Sequence, residues 1–251
     1  MTTINTPQCW QDFQEVLSAG IDRVILWGVP GTGKTFAGLT TNVGAGGSYK
    51  LTCSEDMTTA EVSGMFMPAK EGFEFLDGAG LRAWRGNGKV GGRLVADEID
   101  KASGDVLSTL LNFTDTDGSA RFDHPETGEK VSPLAGYSVV MTTNLENPDD
   151  LQVALRDRFP VAIEITAPHP EAIRRLPEEL WEPANQLISA DPNRRVSLRA
   201  FYAFVQMRDN GIAWERAAIL AFGGRKAEAF IDAYKVAGTT PTASAVRKRP
   251  F

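Results

Sequence analysis

Short apolar segments alternate with amphipathic segments over the first two thirds of the chain. The apolar segments are rich in β-branched residues and rather uniform in hydrophobicity, which is typical of strands in a parallel sheet covered by helices on both faces. Five strands are predicted from this pattern: RVILW (23–27), YKLTC (49–53), RLVAD (93–97), SVVMTT (138–143) and VAIEI (161–165). We therefore expect residues 1–168 to form an α/β domain.

The pattern changes after the linker APHP at 167–170. From there to residue 237, apolar residues recur three and four positions apart, and Gly211 and Gly223 stand where helices would stop. Helices are predicted around residues 170–190, 197–210, 214–222 and 226–236. The sequence thus predicts a small all-helical domain at 169–237, followed by a polar tail at 238–251 that ends in basic residues and is predicted to be disordered.

Composition narrows the class of protein. The 251 residues are 42% hydrophobic, which is enough for a substantial core, and the net charge of -6 argues against a broad nucleic-acid-binding face. Two cysteines and two histidines are too few for a disulfide framework and suggest no zinc site. No apolar run approaches the roughly 20 residues of a membrane span, and the polar start MTTINTPQ is unlike a signal peptide. A cytoplasmic protein without membrane contact is expected.

A glycine-rich motif carries the strongest chemical signal. GVPGTGKT (28–35) directly follows the first predicted strand and matches the phosphate-binding loop pattern in full. Its glycines let successive backbone N–H groups turn toward the phosphates of a nucleotide, and the helix that follows adds its positive end. Lys34 would reach the β and γ phosphates, and the Thr35 hydroxyl would ligate Mg²⁺. The predicted nucleotide-binding residues are Gly28, Val29, Pro30, Gly31, Thr32, Gly33, Lys34, Thr35 and Phe36.

Acidic and polar residues follow two later strands. Asp97 ends one predicted strand and Glu98 comes next, while Asn144 follows another. Because ligands gather at the carboxyl ends of parallel strands, these side chains are expected near the phosphates. Asp97 is predicted to hold Mg²⁺, Glu98 to orient or deprotonate the attacking water, and Asn144 to lie near both. Taken alone, the acidic pair could also be a helix N-terminus, and Asn144 a turn cap.

The order of these motifs resembles that of the AAA+ ATPases. The resemblance covers nearly the whole chain and rests on GVPGTGKT, the pair Asp97 and Glu98, Asn144, ALRDRF at 154–159 and SLRA at 197–200. It implies a P-loop NTPase fold with ATP and Mg²⁺ as ligands. It also implies that the helical domain is a lid over the nucleotide, and that subunits assemble into a homo-oligomeric, usually hexameric, ring.

Two insertions make the chain similar to the MoxR-like group of that family. MFMPAKEGFEFLDG is interpreted as a hairpin over about 65–76, and ARFDHPETGEKV as a second one within 119–132. Departures from the group are Gly78-Ala79 in place of its usual Gly-Pro, and Leu198 where proline is common. Members of the group usually remodel other proteins, which implies a chaperone or activator that acts on a separate partner or client. Apolar side chains of the first hairpin could grip a polypeptide or pack on their own domain: Phe66, Met67, Phe73 and Phe75.

Two arginines flank Asp157 just before the last predicted strand. From the residues alone, they could be the cations that are favoured near a helix C-terminus. The resemblance implies instead that one of them reaches into the site of a neighbouring subunit and neutralises charge on the transferring phosphoryl group. It gives this role to Arg158, with Arg156 second. It gives a contact from the lid side to Arg199, which could also pair with an acid on its own helix.

Two other functions stay open on the sequence. The chain could be the nucleotide-driven subunit of a nucleic-acid-processing or defence nuclease system, although nucleic-acid binding is not favoured. Its basic residues are scattered: Lys70, Arg82, Arg85, Lys89, Arg247, Lys248 and Arg249. The chain could also be a scaffold that binds nucleotide without hydrolysing it, but the intact set of Lys34, Asp97, Glu98 and Asn144 argues against this.

Overall fold

The computed structural model of the protein describes residues 6–115, 118–190 and 194–236. Contacts divide the chain into two compact units. The sheet unit contains Gln8–Val29 and Lys34–Ile165, and the helical unit contains Pro30–Gly33 and the chain from Thr166 onward. The tail that was predicted to be disordered, 238–251, lies outside the described residues.

The sheet unit combines strands, helices and two small hairpins. Its helices and strands in chain order are α1 (Gln8–Ser18), β1 (Arg23–Trp27), α2 (Lys34–Thr40), β2 (Ser48–Thr52), α3 (Thr59–Ser63), β3 (Gly64–Pro68), β4 (Phe73–Asp77), α4 (Ala79–Arg85), β5 (Arg93–Asp97), α5 (Gly104–Thr114), β6 (Phe122–Asp123), β7 (Lys130–Val131), β8 (Ser138–Thr142), α6 (Val153–Arg158) and β9 (Val161–Glu164). Short 3₁₀ helices occupy Ile99–Lys101 and Pro148–Asp150.

One sheet runs through the described part of this unit, with strand order β2, β5, β8, β1, β9 and parallel pairing throughout. Val24 on β1 lies between Val140 on β8 and Val161 on β9, and Thr52 on β2 lies opposite Asp97. The five predicted strands agree with the observed ones to within one residue at each end. The predicted α/β fold of a P-loop NTPase is confirmed.

Helices cover both faces of the sheet. Leu94 and Ala96 face a core in which Trp84 of α4 stacks on Phe113 of α5, with ring centroids 4.4 Å apart. On the opposite face α2 approaches so closely that a Cβ added at Gly38 would lie 3.1 Å from Val95 and 3.2 Å from Val140. Burial on both faces explains why the strands are uniformly apolar in the sequence.

The two hairpins are antiparallel strand pairs that contact each other. β3 pairs with β4, and β6 pairs with β7. The Phe75 N–H donates to Glu126 Oε2 at 3.1 Å, and His124 Nε2 lies 3.4 Å from Asp77 Oδ1. The Phe75 ring also packs edge-on against His124, with centroids 4.8 Å apart. The first hairpin nevertheless exposes large apolar side chains, namely Met65, Phe66, Met67, Phe73 and Leu76.

The helical unit has a core of its own. Its helices are α7 (Pro170–Arg174), α8 (Trp181–Ile188), α9 (Leu198–Asp209), α10 (Trp214–Phe222) and α11 (Gly224–Val236). The segment predicted as helical around 170–190 is divided, because Pro177 follows α7 and a 3₁₀ turn, Glu178–Leu180, precedes α8. Phe201 and Phe204 pack against Phe222 with centroids 5.0 and 5.4 Å apart. Among the described helices, none has both the length and the apolar character needed to cross a membrane.

Gly46 provides a test of close backbone packing before β2. A Cβ added at Gly46 would lie 2.1 Å from the Gly91 carbonyl oxygen, whereas one added at Gly44 would have nothing within 4 Å. We expect Gly46→Ala to lower the free energy of unfolding by about 2–4 kcal/mol, because two backbone segments must separate. The matched control Gly44→Ala should change it by less than about 0.5 kcal/mol. Urea denaturation followed by circular dichroism measures both, and equal stabilities of the two variants would contradict this contact.

Candidate functional site

The loop after β1 requires glycine where it leaves the sheet. Gly28 has a φ of 116°, a conformation that L side chains rarely adopt, and a Cβ there would lie 3.0 Å from the Ile165 carbonyl oxygen. Lys34 then begins α2. The backbone therefore turns sharply at the end of β1 and returns to the sheet unit at Lys34.

The Lys34 ammonium is buried among oxygen atoms. It donates to the carbonyl oxygens of Gly28 at 2.7 Å and Val29 at 2.8 Å, and to Asn144 Oδ1 at 3.0 Å. These three acceptors match the three protons of an ammonium group. Burial lowers the pKa of Lys34 to about 8, although the negative charges of Asp97, Asp100 and Glu98 oppose the shift. Lys34 is thus a desolvated cation at the position predicted to meet phosphates.

Asp97 ends β5 and receives hydrogen bonds on both carboxylate oxygens. Oδ1 accepts from the hydroxyls of Thr35 at 2.5 Å and Thr142 at 2.6 Å, and Oδ2 lies 3.2 Å from Lys50 Nζ. Burial raises the pKa of Asp97, but the hydrogen bonds from Thr142, Thr35 and Lys50 outweigh burial and hold this pKa below its usual value. Asp97 is therefore a carboxylate at neutral pH.

Glu98 adopts a left-handed backbone conformation, with φ 57° and ψ 48°. Its N–H donates to Thr142 Oγ1 at 3.2 Å, and its Oε1 accepts from Asn144 Nδ2 at 3.4 Å. Its other carboxylate oxygen, Oε2, pairs with Lys101 three residues on. A non-glycine residue in this conformation carries backbone strain, and such strain is concentrated at functional sites.

Three consecutive residues at the end of β8 each contact an acidic residue at or just after the end of β5. Thr142 donates to Asp97, Thr143 Oγ1 donates to Asp100 Oδ1 at 2.6 Å, and Asn144 donates to Glu98. We call these contacts the polar ladder. The ladder joins Lys34 through Asn144, so the structure brings together Lys34, Thr35, Asp97, Glu98 and Asn144 as the sequence predicted.

The two arginines of α6 lie apart from the polar ladder. Arg156 donates to the Phe159 carbonyl oxygen at 2.7 Å, and its Nε lies 3.4 Å from Asp149 Oδ1. Arg158 donates to the Ala154 carbonyl oxygen at 2.7 Å, and its Nη2 lies 3.5 Å from Asp115 Oδ2. Their side chains are 32% and 27% exposed. Within the described residues neither arginine contacts the polar ladder.

The middle of the phosphate loop packs within the helical unit. The His169 N–H donates to the Thr32 carbonyl oxygen at 2.8 Å, and a Cβ at Gly33 would lie 2.9 Å from His169 Cβ. A Cβ at Gly31 would lie 3.2 Å from the Cβ of Ser197, which caps α9. Arg199 is the second residue of α9 and is exposed. Thus Pro30–Gly33 contacts residues of the helical unit that lie far away in sequence.

Two of the described basic residues that could favour nucleic acid have partners of their own. Among the described ones, Arg85 Nε lies 2.9 Å from Asp77 Oδ2, and the Arg82 guanidinium lies over the Tyr49 ring at 6.0 Å. Lys70 and Lys89 lie on separate turns. Arg247, Lys248 and Arg249 lie outside the described residues.

The comparisons with known proteins identify the family. The sequence profile of the AAA domain, dynein-related subfamily, matches residues 23–159, which is more than half of the chain. The chain belongs to this AAA family. The matched part of the AAA domain includes the phosphate loop, the acidic pair, Asn144 and both arginines of α6, while Arg199 lies beyond it. Membership of the AAA family implies nucleotide binding.

The AAA assignment does not rest on solved structures or on curated proteins. One matching crystal structure is that of a predicted ATPase from Cytophaga hutchinsonii, with 18% identity and a TM-score of 0.44. The match covers 66% of this chain and 48% of that chain, so this chain spans about half of that protein's length. No curated protein matches the sequence. The sequence profile therefore carries the family assignment.

The residues present in the AAA domain fit a nucleotide phosphate and one Mg²⁺. Among the described residues, no cluster of three or more His, Cys, Asp and Glu side chains could hold a metal ion. Mg²⁺, however, usually takes one or two carboxylates and completes its shell with phosphate oxygens and water. The Thr35 hydroxyl and the Asp97 carboxylate are adjacent oxygen donors of this kind. A Thr35 hydroxyl that donates its proton to Asp97 keeps its lone pairs for a cation.

Several contacts of the site were not predicted from the sequence. Thr142 and Thr143 were visible as polar residues at a strand end, but their partners were not. Lys50 lies in a predicted strand and Lys101 lies three residues after Glu98, and neither lysine was singled out from the sequence. For Lys50 the pairing depends on the register between β2 and β5, which the sequence pattern does not reveal.

Thr142 provides a test of the polar ladder that is independent of any ligand. Its hydroxyl donates to Asp97 and accepts from the Glu98 N–H, so Thr142→Val removes both interactions at nearly constant volume. We expect the free energy of unfolding to fall by about 1–3 kcal/mol, because a carboxylate and a backbone N–H each lose a partner. Thr142→Ser keeps the hydroxyl and should lose less than half of that. Chemical denaturation compares the three proteins, and a Val variant as stable as the Ser variant would contradict the ladder.

Proposed function

We propose that the chain is a Mg-ATP-hydrolysing AAA+ ATPase of MoxR type, which forms a homo-oligomeric ring and acts as a chaperone or activator of a protein complex. The observation that supports hydrolysis is the contact of one amide, that of Asn144, with both Lys34 and Glu98. For an in-line attack of water on the γ phosphate, the group that binds the phosphates and the group that acts on the water must be held at a fixed distance and orientation. Asn144 holds Lys34 and Glu98 in such a geometry, because its side-chain amide contacts both of them.

Binding of the nucleotide would use the phosphate loop, Gly28–Phe36. Backbone N–H groups of the loop and the Lys34 ammonium are donors of the kind that phosphate oxygens accept. Lys34 now donates to Gly28, Val29 and Asn144, so phosphates would replace some of these acceptors. Burial of Lys34 strengthens the electrostatic attraction between its ammonium group and a phosphate, because water screens the charge less.

Hydrolysis would use Glu98, while Thr35 and Asp97 would hold Mg²⁺. Bound Mg²⁺ supplies charge neutralisation for the phosphate oxygens. Glu98 accepts a proton from, or orients, the attacking water, and Asn144 directs its carboxylate through the Nδ2 contact. The left-handed turn fixes where the Glu98 side chain leaves the backbone.

Assembly into a ring would allow the arginines of α6 to contact the nucleotide that is bound by a neighbouring subunit. Their present contacts are with carbonyl oxygens and surface acids of the same unit, and their own subunit's ladder is out of contact. A planar guanidinium presented by a neighbour matches phosphate oxygens and neutralises the charge that develops there. We propose Arg158 as this finger, with Arg156 second. Arg199 is proposed to contact the nucleotide from a helical lid domain over 169–237.

The two hairpins support the MoxR-type assignment and a protein client. The first hairpin exposes Met65, Phe66, Met67, Phe73 and Leu76, while Phe75 is held between the hairpins. Exposed apolar side chains on a small strand pair are typical of a surface that meets another polypeptide. The client or partner would be a separate chain.

The nucleotide chemistry is tested by separating binding from turnover. Lys34→Ala should abolish binding of labelled ATP, whereas Glu98→Gln should bind ATP but hydrolyse it at least about 100-fold more slowly, because the group that handles water is lost. Equilibrium binding and phosphate release measure the two properties. Lys89→Ala, which changes an exposed lysine on another turn, is the matched control and should resemble the unmodified protein. Unchanged ATP affinity in Lys34→Ala would refute the phosphate loop, and normal turnover in Glu98→Gln would remove Glu98 from its role.

Action across a subunit interface is tested by mixing two inactive variants. Arg158→Ala subunits keep Glu98, and Glu98→Gln subunits keep Arg158, so mixed rings contain interfaces that pair an intact acid with an intact finger. We expect ATPase activity to reappear on mixing, up to about a quarter of the unmodified rate if pairing is random. The same mixture with Arg156→Ala shows which arginine acts. Mixed rings, proven by mass, that stay inactive in both mixtures would overturn the trans arrangement.

A further inference from the structure

Lys50 places a second cation at the carboxylate that is proposed to hold Mg²⁺. It lies on β2, the edge strand next to β5, and faces Val95, two positions before Thr52 faces Asp97. Its Nζ lies 3.2 Å from Asp97 Oδ2. The Lys50 side chain is 44% exposed, whereas that of Asp97 is only 13% exposed.

The two oxygens of Asp97 have different kinds of partner. Oδ1 is taken by two neutral hydroxyls, those of Thr35 and Thr142, while Oδ2 is taken by the Lys50 ammonium. The Lys34 ammonium donates to Gly28, Val29 and Asn144, and that of Lys101 contacts Glu98. Lys50 is therefore the cation in direct contact with Asp97 among the described residues.

A largely buried carboxylate such as that of Asp97 is costly without a counter-charge. When a divalent cation sits beside Asp97, the Lys50 ammonium becomes a like charge a few ångströms away, and its exposed stem allows it to leave. We propose that Lys50 is a built-in counter-ion that holds the place of Mg²⁺ at Asp97, so that it competes with Mg²⁺ and sets the Mg²⁺ concentration at which nucleotide binds. This inference rests on the proposed role of Asp97.

Two other roles for Lys50 make different predictions. As an ordinary surface ion pair, Lys50 would have little effect on Mg²⁺ or nucleotide. As a phosphate ligand, Lys50 would strengthen nucleotide binding, and its loss would weaken binding with and without Mg²⁺. As a placeholder, its loss leaves Asp97 free for the metal ion and strengthens Mg²⁺-dependent binding.

The test is the free Mg²⁺ concentration that gives half-maximal binding of a fluorescent, non-hydrolysable ATP analogue to the full chain. Lys50→Met should lower this concentration about fivefold or more, the effect of one unit charge a few ångströms from the ion even when water screens it. Lys50→Arg keeps the charge and should behave as the unmodified protein. In EDTA, the affinity of Lys50→Met for the analogue should not fall. An unchanged Mg²⁺ dependence, or a loss of affinity in EDTA, would overturn the proposal.

Two further variants distinguish the proposed role of Lys50 from a general effect of nearby lysines and from the metal role of Asp97 itself. Lys101→Met removes a cation that contacts Glu98 rather than Asp97, and it should shift the half-maximal Mg²⁺ concentration less than Lys50→Met does. Asp97→Asn should raise that concentration strongly, and adding Lys50→Met to it should lower the concentration by a smaller factor than Lys50→Met does in the unmodified protein. If Asp97→Asn has no effect, the metal role of Asp97 fails. If Asp97→Asn acts as expected but Lys50→Met does not, only the placeholder fails.

Discussion

The parallel pairing of β5 with β8 is the constraint on which the candidate site depends. The register sets Ala96 opposite Met141, so both strands end at the same level of the sheet. The residues that follow then meet as polar pairs, from Thr142 with Asp97 to Asn144 with Glu98. Shifting one strand by a single residue would reverse its side chains and separate every pair. The apolar core on both faces, which fixes the register, is therefore also what positions the chemistry.

Charge balance is the second property of this site. Three acids, Asp97, Glu98 and Asp100, lie within a short stretch after β5, and their negative charges act against the burial that lowers the pKa of Lys34. With that pKa near 8, most Lys34 side chains stay protonated at neutral pH. Lys50 and Lys101 pair with Asp97 and Glu98. The cations and acids of this site are already paired with one another. Binding of a Mg-nucleotide would therefore replace existing ion pairs and hydrogen bonds with contacts to the ligand.

The sequence predicted those features that depend on local pattern or on chain order. The strands were predictable because burial on both faces makes them uniformly apolar, and Asp97, Glu98 and Asn144 could be placed together because parallel strands end at one edge. The left-handed turn at Glu98 and the pairing of Lys50 with Asp97 were not predictable, since both depend on contacts between strands distant in sequence. The same limit applies to Pro30–Gly33, which packs against residues around His169 and Ser197.

The second hairpin links the exposed first hairpin to the strand that ends at the polar ladder. β7 leads into β8, which ends beside Asn144, and the turn between β6 and β7 carries Glu126 and His124. Those two side chains contact Phe75 and Asp77 of β4, and the Phe75 ring also packs against the rings of Phe122 and His124. The exposed first hairpin is therefore joined to the hairpin that leads into β8 by a hydrogen bond, a polar contact and ring packing. These contacts make the second hairpin one route by which a displacement of β8 at Asn144 would reach the first hairpin. The turn around Glu126 lies on this route, because the Glu126 carboxylate accepts a hydrogen bond from the Phe75 N–H.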